Sequence, residues 1–331
     1  MGMSVAMKVL VGTVGQGVMR SANGGETWAR LGVDQGLHSD AIVRALVVHP
    51  EDPTVVLAGT DRGLYRSEDS GATWTWARTR FGKSWVWALA IDPNRPSHMF
   101  AGIGTPDPAA LYMSTDGGED WDPCFLEIVE ECENVGTPRP TAISVDPIDG
   151  RNVWVGVEVD GVHVSRDGGL VWAPLQPPFD NPDIHNVAIA PGPPKTIFVL
   201  TSDDVLVSRD DGESWDSTGV SELAPPRTSY PRGISLGPLG TSLLCLTTGD
   251  TTPGETGAVL LSEDLGLTWN ELVLPVQPNS AIWCAAFMEY ESNVLVVGSR
   301  YGYLYISYDQ GGSWKKFSRE FSEISSLLVL S

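Results

Sequence analysis

The sequence predicts an all-β fold: a seven-bladed β-propeller of four-stranded antiparallel blades, with the C-terminal strand 324–330 completing the first blade. Three observations predict it. The pattern Ser-x-Asp/Asn-x-Gly-x-x-Trp occurs seven times, with its serines at 21, 67, 114, 165, 208, 262 and 307 and Asn only in the first copy. Successive serines are 43 to 54 residues apart, a period that marks repeated structural units. The apolar runs between copies follow one order, and the run missing at the start is matched by one left over at the end.

Residues 42–77 show the unit. "IVRALVVHP" is a β-branched apolar run stopped by Pro50 and reads as a buried inner strand. "EDP" turns the chain, "TVVLAGT" forms a second strand, and Thr60-Asp61-Arg62-Gly63 turns it again. "GLYRS" is the third strand, "SEDSGATW" the hairpin and "TWTWA" the fourth strand. Four antiparallel strands make one propeller blade. Further inner strands are expected at 86–91, 141–146, 185–190, 232–237 and 281–288. Before the first motif stand only "VAMKVLVGT" and "GVMRS", which match second and third strands. "ISSLLVL" at 324–330 is therefore expected to supply the missing inner strand, and closure removes the exposed sheet edges. The whole of 1–331 reads as one domain.

The motif is a mechanical device. Its Asp, or Asn23 in the first copy, is expected to accept backbone N–H groups two or three residues on. Its glycine supplies a positive φ, and its tryptophan wedges between neighbouring sheets. The pattern resembles the Asp-box (BNR) repeat of sialidases, sortilin-type receptors, xyloglucanases and photosystem II assembly factors, over essentially the whole chain. The resemblance implies the propeller fold. It does not imply one activity, because such scaffolds carry many functions. The early Arg-Ile-Pro signature of sialidases is not found before residue 60, and seven motifs exceed a sialidase's six blades. Asp-box xyloglucanases place carboxylates across a cleft between two propellers, where this sequence writes one. Photosystem II assembly factors present a basic patch and carry an export or lipid-anchor signal, and this sequence is read as showing neither.

A formal net charge of -21 argues against nucleic acid or anionic lipid as partners, since both need basic surface. No signal peptide and no apolar run of membrane-spanning length is seen, so no membrane partner and a cytoplasmic location are expected. Cys245 and Cys284 read as buried thiols, while Cys124 and Cys132 share a loop and could pair if oxidised. A monomer is expected, and no cofactor is assigned.

In a propeller the loops joining strands two and three, and those joining successive blades, gather at one mouth of the channel. The Asp-box turns fall on the other face. Ligand-binding candidates at the mouth are His38, Asp40, Arg62, Trp85, Arg139, Glu158, His185, Tyr230, Arg232, Arg300 and Tyr301. Arginines 62 and 300 could instead pair with surface carboxylates. Trp85 could offer a stacking platform or pack with Trp87 between blades. His38 and His185 lack local metal-ligand spacing, so no metal site is assigned. The segment 122–140 is expected to hold one or two helical turns, with Leu126 and Val129 inward. Carboxyls that could serve a hydrolase are Asp40, Asp61, Glu158, Asp160, Asp204 and Glu323. Two functions follow. One is a binding or assembly platform for a protein or small polar ligand. The other is a hydrolase or lyase acting on a carbohydrate or other small polar molecule.

Overall fold

The computed structural model describes residues 7–131, 136–176, 179–192, 195–219, 228–288 and 291–331. Seven four-stranded antiparallel sheets form it. Their inner strands are Ile324–Leu330 in blade 1, Val43–His49 in blade 2, Trp85–Ile91 in blade 3 and Pro140–Val145 in blade 4. Blades 5, 6 and 7 begin with Ile184–Ala190, Tyr230–Leu236 and Ile282–Met288. Each inner strand touches the inner strands of the blades before and after it, and blade 7 touches blade 1, so the ring is closed.

Closure is made by the two ends of the chain. Ile324–Leu330 pairs antiparallel with Lys8–Thr13, with Val9 opposite Val329 and Lys8 opposite Leu330. The Ser325 hydroxyl shares its one proton between two carbonyls, that of Gly12 at 3.1 Å and that of Val43 in the next blade. The same strand therefore completes one blade and is tied to its neighbour.

The core lies in the seams. Seven apolar clusters occur among the described residues, one for each pair of adjacent blades. Leu10 and Val18 of blade 1 meet Val43, Val56 and Trp74 of blade 2 in one of them. The second strands are buried along most of their length, and throughout in Met99–Gly104 and Thr196–Thr201, because both faces lie against other sheets.

The Asp-box turns are nearly identical in construction. In blade 2 the Ser67 hydroxyl donates to Asp69 Oδ1 at 2.8 Å and accepts the Gly71 amide at 2.9 Å. Asp69 Oδ1 accepts the amides of Ala72 and Thr73, three and four residues on rather than two and three. Gly71 has φ +77°, and a Cβ there would stand 2.2 Å from Leu10 of the preceding blade. Backbone conformation and close approach thus both demand glycine. The motif tryptophans pack on the preceding blade, as Trp172 does edge-on against Phe100. Trp74 and Trp121 are buried, whereas the others are half-buried.

One expected element is absent among the described residues of 122–140. Residues 124–131 are not helical: Cys124, Leu126 and Ile128 pack against the seam between blades 3 and 4, while Val129 is exposed. The inward positions alternate, as in extended chain, because they lie along a seam instead of on a helix face. Cys132 lies outside the described residues, and Cys124, Cys245 and Cys284 are free thiols.

Candidate functional site

Every inner strand carries a register shift near its start. The residue left without a partner is Arg44, Trp87, Thr141, His185, Arg232, Trp283 or Ser325, one from each blade. A bulge re-aims the side chain it carries. Here all seven side chains line one cavity of about 550 Å³ in the channel. The loops between second and third strands add Glu158, Thr252 and Arg300, and the approaches to the inner strands add Arg139 and Asp183. None of the seven Asp-box motifs contributes a residue, so the two faces divide as the sequence predicts.

Six of the proposed ligand-binding residues meet in this cavity: Arg139, Glu158, His185, Tyr230, Arg232 and Arg300. Five do not. His38 and Arg62 line a separate cleft with Trp76 and Lys83. Asp40 is exposed and pairs with Arg62 at 3.2 Å. Trp85 stacks on Trp87 at 6.1 Å, one layer out from the cavity wall. Tyr301 is exposed on its turn. The cavity also holds Arg44, Trp87, Asp183, Thr252 and Trp283, which were not among the proposed residues. An apolar–X–small triplet marks the bulge: Val43-Arg44-Ala45, Val86-Trp87-Ala88 and Ile282-Trp283-Cys284 are examples.

Four arginines make the cavity basic although the chain is strongly acidic. The patch is not visible along the sequence because it is assembled from four blades. Each indole in the wall carries two guanidinium groups. Arg44 and Arg139 lie 4.6 and 4.7 Å from the Trp87 ring, and Arg232 and Arg300 lie 3.8 and 4.1 Å from the Trp283 ring. Stacking holds these planar groups in place while leaving their N–H edges available. Arg139 pairs with Glu158, and Arg300 pairs with Glu323 at 2.6 Å. Arg44 and Arg232 have no ion-pair partner among the described residues. Burial, together with Arg300 and Arg139 nearby, pulls the Arg44 pKa down to about 10. Burial lowers that of Arg232 as well.

His185 anchors the opposite wall. Its Nδ1–H donates to the Pro231 carbonyl at 2.8 Å. In the neutral ring Nε2 is then the acceptor, and the Tyr230 hydroxyl stands 3.2 Å from it. Asp183 Oδ2 lies 3.5 Å from the same nitrogen. When both ring nitrogens carry protons Nε2–H donates to Asp183 instead, and this bond with His185 is the chief influence holding Asp183 below the usual carboxylate range, against the opposing effect of burial.

The carboxyls considered for hydrolysis are engaged separately. Asp61 accepts the Ile42 amide at 2.9 Å, Asp160 bonds His163 at 2.9 Å and Asp204 bonds Ser217. With Asp40 on Arg62, Glu158 on Arg139 and Glu323 on Arg300, each of the six has its own partner. His38 and His185 lie in different cavities, and no group of three metal-ligating side chains occurs among the described residues.

The repeated turns and the closed ring decide the type. The chain is a seven-bladed Asp-box propeller. A protein-family model described as sortilin, neurotensin receptor 3 (Sortilin-Vps10) matches residues 16–146 of it. A probable oligoxyloglucan-reducing end-specific xyloglucanase of Neosartorya fischeri is 26% identical over 227 residues, covering 55% of this propeller and 27% of the relative. Xyloglucanase Xgh74A of Acetivibrio thermocellus is 25% identical over 244 residues, covering 62% and 28%. The propeller thus spans less than a third of the length of these curated relatives. Among solved structures, the GH74 xyloglucanase from Xanthomonas campestris superposes with a TM-score of 0.67 at 23% identity, over 83% of this chain and 45% of that one. YCF48 bound to D1 peptide gives 0.57 at 17% identity, over 84% and 81%. At these identities the likeness is one of fold.

Proposed function

We propose that the propeller is a binding platform that takes a protein segment or a small polar ligand at its channel mouth. The observation that carries this reading is the convergence of one bulged side chain from each blade on a single cavity, within the size range of ligand sites. YCF48, which shares the fold, has been seen with a bound peptide. A glycosidase needs two carboxyls flanking the scissile bond, with the acid's pKa raised. Here Glu158 is tied to Arg139, and Asp183 is shifted down instead of up.

Thermal-shift screening against neutral sugars, organic acids and short peptides at constant ionic strength tests the proposal, because a ligand specific for the folded state raises the melting temperature. A saturable rise is expected, and Asn186→Trp, which fills the cavity, is expected to abolish it. Ligands that bind the Asn186→Trp variant unchanged would move the site elsewhere. One observation favours a catalytic alternative, a lyase or hydrolase acting on a carbohydrate: the Tyr230 hydroxyl and His185 Nε2 form an acid–base pair at the cavity wall. Turnover of an oligosaccharide that is lost in Tyr230→Phe would establish that reading.

A further inference from the structure

We infer that the channel ligand is a small hydroxylated oxyanion, a sugar acid or sugar phosphate, held by Arg44 and Arg232. The inference rests on reading the channel mouth as a binding site and goes on to name what binds.

Four arginines converge on three carboxylates, Glu158, Asp183 and Glu323, so the positive charge is not fully balanced. Arg139 and Arg300 have carboxylate partners, but Arg44 and Arg232 have none among the described residues. Arg44 also sits within electrostatic reach of the other three arginines, with Glu323 as the one carboxylate acting on it against them. Like charges held together by stacking cost free energy that an entering anion would recover. The hydrogen-bond inventory points the same way. Arg44 Nε and Arg300 Nη1 are buried donors with no partner among the described residues. Such groups are rare in native structures and are satisfied by water or ligand. An oxyanion in the cavity would accept from both.

The hydroxyl follows from a third orphan. Asp183 Oδ1 is a buried acceptor that makes no direct hydrogen bond among the described residues, on the far wall from Arg44, although the Ser202 hydroxyl stands close enough to the same carboxylate to help hold it ionised. An acceptor is satisfied by a donor, and the donor a small polar ligand offers is O–H. Guanidinium forks on one side and a waiting carboxylate oxygen on the other match an anion with a hydroxylated body. A neutral sugar fits less well, because stacked guanidinium groups take up indole surface that a sugar ring would use. The propeller's overall charge of -21 would turn long polyanions away, leaving ligands small enough to pass the mouth.

Isothermal titration calorimetry in about 0.15 M salt, where long-range steering is screened, tests the inference. The probes are D-glucuronate, glucose 6-phosphate and inorganic phosphate, with D-glucose as the neutral control. Glucuronate or glucose 6-phosphate is expected to bind saturably and glucose at least tenfold more weakly. Which of the two binds tells carboxylate from phosphate. Arg44→Gln with Arg232→Gln is expected to weaken that binding at least tenfold. Asp183→Ala should lower the affinity for the hydroxylated anion several-fold relative to that for inorganic phosphate, which gains from the loss of a nearby negative charge. Circular dichroism checks that each variant is folded. If the Gln pair does not fold, Arg44→Lys with Arg232→Lys keeps the charges but loses the forks, and a several-fold loss is still expected. The inference is overturned if no oxyanion binds at millimolar concentration, or if the arginine variants bind as the parent does. If a neutral ligand binds in a way that Asn186→Trp blocks and the arginine variants do not alter, the platform stands and the oxyanion falls. If no ligand responds to Asn186→Trp, both fall.

Discussion

Each Asp-box aspartate spends its oxygens on its own turn. Asp210 takes the Ser214 hydroxyl, the Ser214 amide at 2.9 Å and the Ser208 hydroxyl at 2.8 Å, and these bonds hold its pKa at about 2. Asp309 is lowered in the same way, first by Ser313. A carboxyl depressed below its unfolded value of about 4 stabilises fully above that pH, and the gain is lost as pH falls through the folded value. Stability of the propeller is therefore expected to decline between about pH 4 and pH 2, which urea unfolding at stepped pH would show. The tryptophans separate by a finer detail. Six of them donate the indole N–H to the motif glycine carbonyl, as Trp121 does at 3.1 Å to Gly118. The Trp269 N–H has no partner among the described residues. Trp121→Phe should thus cost about 1 kcal/mol more than Trp269→Phe, and Trp121→Ala about 3–5 kcal/mol in all, by the same unfolding measurement.

At the scale of the element, the bulge explains where the sequence was legible and where it was not. Strand positions could be read from β-branched runs ending in Pro or Gly, and the predicted starts fall within two residues of those observed, as 232–237 against Tyr230–Leu236. A side chain's face is normally set by alternation along the strand. A bulge inserts one residue and breaks that alternation, so Arg44, Trp87 and Trp283 read as ordinary strand residues. Arg139 and Tyr230 were found because they stand at the strand start. Trp85 stands there too, yet it lies behind Trp87. The turn carrying Glu158 holds another local exception. Val159 has φ +61°, a conformation that β-branched residues resist. Val159→Asn is expected to raise stability by about 1 kcal/mol, because Asn tolerates the left-handed region. No gain in the unfolding midpoint would mean that packing around Val159 outweighs its backbone strain.

For the whole molecule, the ring depends on its last strand. Ile324, Leu327, Val329 and Leu330 are buried in the two seams that flank blade 1. Deleting residues 322–331 opens both seams and exposes the edge of Lys8–Thr13. The truncated chain is expected to melt well below the full chain and to aggregate, which calorimetry and light scattering would detect. A truncation that melts like the full chain would mean that the ring does not need this strand.

The repeat, the blade count and the closing strand were decided by the sequence itself, because they depend on local hydrogen bonding and on apolar periodicity that recurs every 43 to 54 residues. The division of the two faces followed from the hairpin order within one blade. The basic channel was decided only by tertiary structure. Arg44, Arg139, Arg232 and Arg300 are scattered across more than 250 residues of an acidic chain, and closing the ring turns them toward one another. Distances across a ring depend on all seven blades at once, and no local pattern encodes them.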